Sequence, residues 1–287
     1  AALRDPSAGV RAVRWYRRDM DIIFTDLDGT LLDRDTYSWE AARGALERTR
    51  EKGVPVVLVS SKTRAEIEVW RERLDNRHPF IAENGGAAFI PVGYFGTPAR
   101  GASRRGPYDV MEWGAPYEEL VRRLREAARA SGCAVRGFND MTAAEVAALC
   151  DLPMEQALLA KQREYDEAFE TLDAGRADAL EEAVRQQGCR LTRGGRFWHI
   201  LGSNDKALAV DALAGLYASG GGPIRTIGLG DGLNDAEFLK RMQAPVLIPS
   251  PSITELRRLV PGGETASQPG PAGWNETTQQ TIDEVIN

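Results

Sequence analysis

Asp21-Ile22-Ile23-Phe24-Thr25-Asp26-Leu27-Asp28-Gly29-Thr30 is the stretch that decides the fold. Its β-rich first half ends in an acidic turn with a glycine, the pattern of a buried strand opening into a loop. Working outward, Val54-Pro55-Val56-Val57-Leu58-Val59 is an uninterrupted apolar run, which reads as a strand covered on both faces. A helical stretch from about Trp39 to Lys52, closed by Gly53, lies between the two. A second helix from about Thr63 to Leu74 and a third strand at Phe80-Ile81-Ala82 follow. This alternation predicts a parallel, doubly wound α/β sheet of the Rossmann type.

The same grammar returns near the C-terminus, with a helix from Lys206 to Tyr217, strands at Ile224–Leu229 and Pro245–Ile248, and a helix over Asn234–Arg241. The interval from Gly85 to Lys206 far exceeds the roughly 30 residues of one βαβ unit, so it must hold a folded module of its own. The expected division is an N-terminal extension over 1–19, core over 20–104, an inserted α/β cap over 105–200, and core plus tail over 201–287. Pro261–Gly273 reads as a loop, with a short helix after Trp274.

Composition narrows the function classes. Of 287 residues, 43% are hydrophobic and 27% charged, which is ordinary for a folded globular chain. The net charge of −6 leaves no global basic field, so neither nucleic acid nor an anionic membrane is an expected partner. Three scattered cysteines, Cys133, Cys150 and Cys189, make neither a disulfide framework nor a CxxC metal site and suggest a reducing, cytoplasmic setting. Residues 1–19 are arginine-bearing, lack a signal-peptide apolar core, and read as an extension ahead of Met20.

The chemistry-bearing residues gather at predicted strand ends. Asp26 and Asp28 leave the first strand, where α/β sheets place their ligands; taken alone, the alternative is a plain Asx turn at Gly29. Gly228-Leu229-Gly230-Asp231-Gly232-Leu233-Asn234-Asp235 adds two more carboxylates, with glycines that allow close backbone approach. Four aspartates at one sheet edge repel one another unless a hard cation such as Mg²⁺ holds them, and oxygen ligands suit that ion. Ser60 ends the apolar strand and Lys206 starts a helix; alone each reads as a cap or a solvated side chain. Together the set provides a nucleophile, an acid–base group, a hydroxyl, a cation and metal ligands, as phosphoryl transfer needs. His199 reads as structural, because no second His or Cys lies at ligand spacing.

Asp26-x-Asp28-Gly29-Thr30, Ser60, Lys206 and Gly230-Asp231-Gly232-x-Asn234-Asp235 resemble, in order, the four motifs of the haloacid-dehalogenase-like phosphatases. The long insertion and Glu83-Asn84-Gly85-Gly86 are similar to the subgroup with an α/β cap. Ser60-Ser61-Lys62-Thr63-Arg64-Ala65-Glu66, Arg163-Glu164-Tyr165-Asp166-Glu167, Arg193–His199 and Gly270-Pro271-x-Gly273-Trp274-Asn275 resemble a branch acting on phosphorylated sugar-glycerates, with Lys62 where the wider subgroup more often has arginine. The resemblance implies a Mg²⁺-dependent phosphatase with Asp26 as nucleophile, Asp28 as acid–base group, and Ser60 and Lys206 on the phosphoryl oxygens. It implies metal ligation by Asp26, Asp28 and Asp231, with Asp235 and Asn234 in support. Ser61, Lys62, Glu83, Asn84, Gly85, Arg163 and Glu167 are the implied substrate contacts, in a monomer or homodimer. A sucrose- or trehalose-phosphate phosphatase, a phosphomutase of the same superfamily and a non-catalytic receiver module remain alternatives.

Overall fold

The computed structural model describes residues 20–194, 197–220 and 222–283; the expected extension over 1–19, and Gly195 and Arg196 of the arginine-rich string, lie outside them. Six strands precede the insertion: β1 (Met20–Thr25), β2 (Val56–Val59), β3 (Phe80–Ala82), β4 (Ala87–Pro91), β5 (Ser103–Arg105) and β6 (Tyr108–Glu112). With them come α1 (Arg43–Lys52) and α2 (Arg64–Arg73). The insertion holds α3 (Tyr117–Ser131), β7 (Val135–Gly137), α4 (Ala143–Cys150), α5 (Met154–Ala160), β8 (Glu167–Thr171), α6 (Ala177–Gln186), β9 (Arg190–Gly194) and β10 (Phe197–Leu201). The chain then runs through α7 (Lys206–Ala218), β11 (Ile224–Gly230), α8 (Ala236–Leu239), β12 (Ala244–Leu247), α9 (Ile253–Leu259), β13 (Glu264–Thr265) and α10 (Gly270–Asp283).

The larger sheet has the order β13-β12-β11-β1-β2-β3-β4-β6-β5 and is parallel from β13 to β3. Alternate residues of its central strands enter opposite layers. Ile23, Val56 and Leu58 pack with Leu46, Trp70 and Trp274, while Ile22, Phe24, Val57 and Val59 pack with Val210, Leu213 and Phe238. Helices therefore cover both faces, as an apolar run without polar alternation requires. The second sheet, β7-β8-β10-β9, is antiparallel and packs against α3 and α6 through Phe169, Leu120 and Leu180.

Two features depart from the sequence reading. β4, β6 and β5 extend the larger sheet beyond β3, each antiparallel to its neighbour, so residue 105, the expected start of the insertion, falls inside this extension. The smaller sheet's unit starts only after Glu112, because the Tyr108–Glu112 backbone is already paired with β4. The stretch around Gly270-Pro271 is the first turn of α10 rather than a loop; proline fits there because its missing N–H has no helical partner. This helix buries Trp274 completely, and its indole Nε1 donates to Thr25 Oγ1 at 3.0 Å, directly before Asp26.

Candidate active site

β11, β1 and β2 are adjacent and parallel, so their carboxyl ends lie side by side. Asp231, Asp26 and Ser60 directly follow those ends, at the edge where doubly wound sheets place ligands. Gly29, at φ +80°, turns the chain beside them; a Cβ there would stand 2.7 Å from Asp231 Oδ2. Lys206 opens α7, whose N-cap Asp205 accepts from Leu208 N at 2.8 Å. That start points the lysine back at the strand ends. Its Nζ donates to Asp26 Oδ1 at 2.7 Å and to Asp235 Oδ1 at 2.6 Å, with the side chain 1% exposed. Asp235 Oδ2 in turn accepts from Asp231 N (3.2 Å) and Gly232 N (2.9 Å), bracing the turn after β11.

Asp26, Asp231 and Asp235 each offer an oxygen within 4.8 Å of the others, and all three are buried. Burial pushes the Asp26 carboxyl well above the usual range, opposed by Lys206 and aided by Asp235 and Asp231. Burial and Asp235 push Asp231 up to about 6, against the pull of Arg34. Lys206 stays charged, because Asp235 and Asp26 outweigh the burial that would lower it. Among the described residues Lys206 and Arg34 are the cations in direct contact with these three carboxylates, one fewer than the carboxylates themselves. An oxygen-only donor set with surplus anionic charge is chemically suited to a hard divalent cation.

The other expected residues divide into two groups. Asp28 lies beside the cluster with Oδ2 2.9 Å from Lys62 Nζ, while its Oδ1 is buried without a partner. Lys62 also faces Glu66 (3.7 Å) and the Tyr37 ring (5.1 Å to its centroid). Ser60 is buried, and its Oγ accepts from Lys62 N at 3.1 Å. Asn234 Nδ2 donates to Asn84 Oδ1 at 3.3 Å. The second group has its polar atoms committed elsewhere. Arg163, expected as a substrate contact, is buried; its Nε donates to Asp166 Oδ1 (2.6 Å) and its Nη2 to the Ser61 carbonyl (2.9 Å). Glu83 accepts from the backbone N–H groups of Glu164, Tyr165 and Asp166. Burial pushes its carboxyl up, to about 8, against the pull of Arg163 and these amides. Asn84 Nδ2 donates to Asp166 Oδ2 at 2.9 Å. Glu167 accepts from Asn139 N and Tyr117 Oη, both at 2.8 Å.

Several contributors were not singled out in the sequence. Thr30 Oγ1 donates to Asp231 Oδ1 at 3.0 Å and Ser250 Oγ to the Asp231 carbonyl at 2.7 Å, while Arg34 forms an ion pair with Asp231. Arg34 and Ser250 also line a cleft of about 440 Å³ beside Gly29. Thr30 closes the first motif, a usable signal; Arg34 and Ser250 sit in loops with no local pattern to mark them. His199 Nδ1 lies 3.1 Å from Asp166 Oδ2, inside the insertion.

The haloacid dehalogenase-like hydrolase family model matches residues 23–91 of this chain. Solved structures with this fold include a haloacid dehalogenase-like hydrolase from Bacteroides thetaiotaomicron (TM-score 0.62, 18% identity, 93% of this chain and 100% of that one). A second, from B. subtilis, gives a TM-score of 0.64 at 14% identity over the same shares. The chain belongs to the haloacid dehalogenase-like hydrolases, with the inserted α/β cap, and is a phosphoric monoester hydrolase. It is 42% identical over 270 residues to the glucosyl-3-phosphoglycerate/mannosyl-3-phosphoglycerate phosphatase of Methanococcoides burtonii, covering 91% of this chain and 97% of that one. Identity to the protein of the same name from Persephonella marina is 37%, over 92% and 98% of the two chains. The mannosyl-3-phosphoglycerate phosphatase of Pyrococcus furiosus is 37% identical, over 75% and 85%. Among the described residues no helix is long and apolar enough to cross a membrane.

Proposed function

We propose that this chain removes phosphate from mannosyl-3-phosphoglycerate, and from its glucosyl counterpart, to give the glycosylglycerate. The observation that carries the reaction type is the buried bridge of Lys206 between Asp26 and Asp235, beside the surplus charge of Asp231. The substrate class is supported by the names of the Methanococcoides and Persephonella relatives.

In this reading an Asp26 oxygen attacks phosphorus, and the bond from phosphorus to the glycerate oxygen breaks as the Asp26–phosphorus bond forms. Asp28 gives that leaving oxygen a proton. It then takes one from the water whose oxygen displaces Asp26 and frees inorganic phosphate. Lys206 and the Ser60 hydroxyl hold phosphoryl oxygens, replacing their hydration with fixed donors. A Mg²⁺ held by Asp26, the Asp28 carbonyl and Asp231, supported by Asp235 and Asn234, would supply positive charge that offsets the anionic group under attack. Lys62, which orients Asp28, is assigned with Ser61 and Gly85 to the leaving-group side.

Phosphate release from mannosyl- and glucosyl-3-phosphoglycerate, sucrose phosphate and trehalose phosphate, with Mg²⁺ present, tests the assignment. The two glycosyl-3-phosphoglycerates should lead in kcat/KM by about tenfold or more, because their leaving group carries a carboxylate the others lack. A lead for either disaccharide phosphate, or an absolute need for a bisphosphate activator, would overturn it.

A further inference from the structure

Glu83-Asn84-Gly85-Gly86 lies between the strands β3 and β4, yet each of its residues meets the insertion or a segment leading into or out of it. Glu83 accepts from three consecutive N–H groups, those of Glu164, Tyr165 and Asp166, at 2.7 to 3.0 Å. Asn84 donates to Asp166, which also receives Arg163 and His199, and accepts from Asn204 at its carbonyl. A Cβ on Gly85 would stand 2.0 Å from the Asp205 carbonyl oxygen, on the segment leaving the insertion. Gly86 gives its carbonyl to Trp113 N (2.9 Å) and Gly114 N (2.8 Å), on the segment entering it. A Cβ on Gly86 or Gly114 would stand 2.3 or 2.6 Å from Tyr165 Cβ, so the two glycines form a slot for that residue. Glu83, Asn84 and Gly85 are all left-handed, at φ 48°, 53° and 87°. A glutamate tolerates that conformation only where its surroundings over-determine it, and such strain gathers at sites with a positioning task.

The same string holds the catalytic edge. Glu83 N donates to the Lys62 carbonyl and Asn84 N to the Ser60 carbonyl, both at 3.0 Å, and Asn84 Oδ1 receives Asn234 Nδ2. We propose that these four residues form the joint that sets the insertion against the catalytic edge, and that Glu83 is a positioning residue fixing the approach of the cap to the leaving group. The kinetic half of this proposal rests on the phosphatase reading; the structural half does not.

Hydrogen exchange of the 164–166 amides in the full chain, for wild type, Glu83→Gln and Glu83→Ala, reads the joint directly. The alanine variant should exchange them at least about tenfold faster and the glutamine variant should fall between, since one acceptor oxygen survives. In kinetics, the alanine variant should raise KM more than it lowers kcat for whichever sugar phosphate the wild type hydrolyses best, and should affect a small aryl phosphate less. Wild-type protection in both variants overturns the joint. Lost protection with equal losses on both substrates overturns the positioning role. If the alanine variant does not fold, the glutamine variant decides by the same criteria. A wild type inactive on every glycosyl-3-phosphoglycerate would overturn only the substrate reading, leaving the exchange result to judge the joint.

Discussion

Asp26 and Asp166 are both buried aspartates held by a cation, yet their carboxyls move in opposite directions. Burial raises Asp26 well above the usual range, and Lys206, shared with Asp235, does not bring it back. Burial works to raise Asp166 as well, but Arg163, His199 and Asn84 together hold it below the usual range. The difference lies in direct contacts: Lys206 is split between Asp26 and Asp235, whereas Arg163, His199 and Asn84 all donate to Asp166, and it is the neighbouring Glu83 that is pushed up there. At the strand ends three carboxylates compete for Lys206 and Arg34, whereas at the joint Arg163 spends its fork on Asp166 and a backbone carbonyl. A buried charge whose partners are all protein is architecture. A cluster of buried carboxylates short of positive charge at a sheet edge is a candidate cation site.

Removing divalent cations should break the comparison most sharply. Turnover should fall to background in chelator and return with Mg²⁺, and a cation at 100 times its Kd should stabilise the fold by about 2.7 kcal/mol. Thermal melts with and without Mg²⁺ check the second effect, which Asp231→Asn should largely remove. A full Mg²⁺ shift in that variant would place the cation elsewhere.

The next effect belongs to the joint. Arg163→Ala leaves Asp166 buried without its ion-pair partner and should destabilise the fold by about 3–5 kcal/mol in urea unfolding. The Arg163→Ala/Asp166→Ala double variant should cost less than the two single losses added together. A loss below about 0.5 kcal/mol would describe a solvated arginine and return Arg163 to the substrate contacts.

The smallest effect is a slope with pH. Burial pushes Glu167 up to about 7, against the Asn139 N–H and Tyr117 that favour its charged form. Its unfolded value lies near 4.3, so between the two the folded state holds the proton more tightly. The stabilisation it contributes is full below about pH 4 and lost as pH rises through 7. Glu167→Gln should match wild type near pH 4 and exceed it by up to about 2 kcal/mol at pH 8, if the amide keeps both contacts. Parallel unfolding curves across that range would show that Glu167 ionises freely.

The legible parts of the sequence were those where local pattern and final environment agree. Apolar runs at Ile22–Phe24 and Val56–Val59 can only be central strands, and two strand-end motifs carry the aspartates that the structure gathers. Arg163 was illegible as a buried residue because its burial depends on Asp166, His199, Asn84 and the Ser61 carbonyl, scattered over more than a hundred positions. β5 hid behind its arginines, since an exposed edge strand needs no apolar run, whereas β4, apolar and buried, hid because it follows the glycines at Gly85 and Gly86. α10 hid behind Gly270, Pro271 and Gly273. Gly273 is there for space: a Cβ would stand 2.0 Å from the Gln268 carbonyl oxygen.

The Trp274 indole under Thr25 has a consequence for how the molecule comes into being. A ribosome builds Asp26 early and Asp235 much later, but α10 is the last element of the described chain. A polypeptide cut short before residue 270 would carry Asp26, Asp28, Asp231 and Asp235 while lacking the helix that packs beneath the strand leading to Asp26. Products ending before that helix should therefore release phosphate more slowly than the full chain, because Thr25 and the strand leading to Asp26 lose the packing of Trp274.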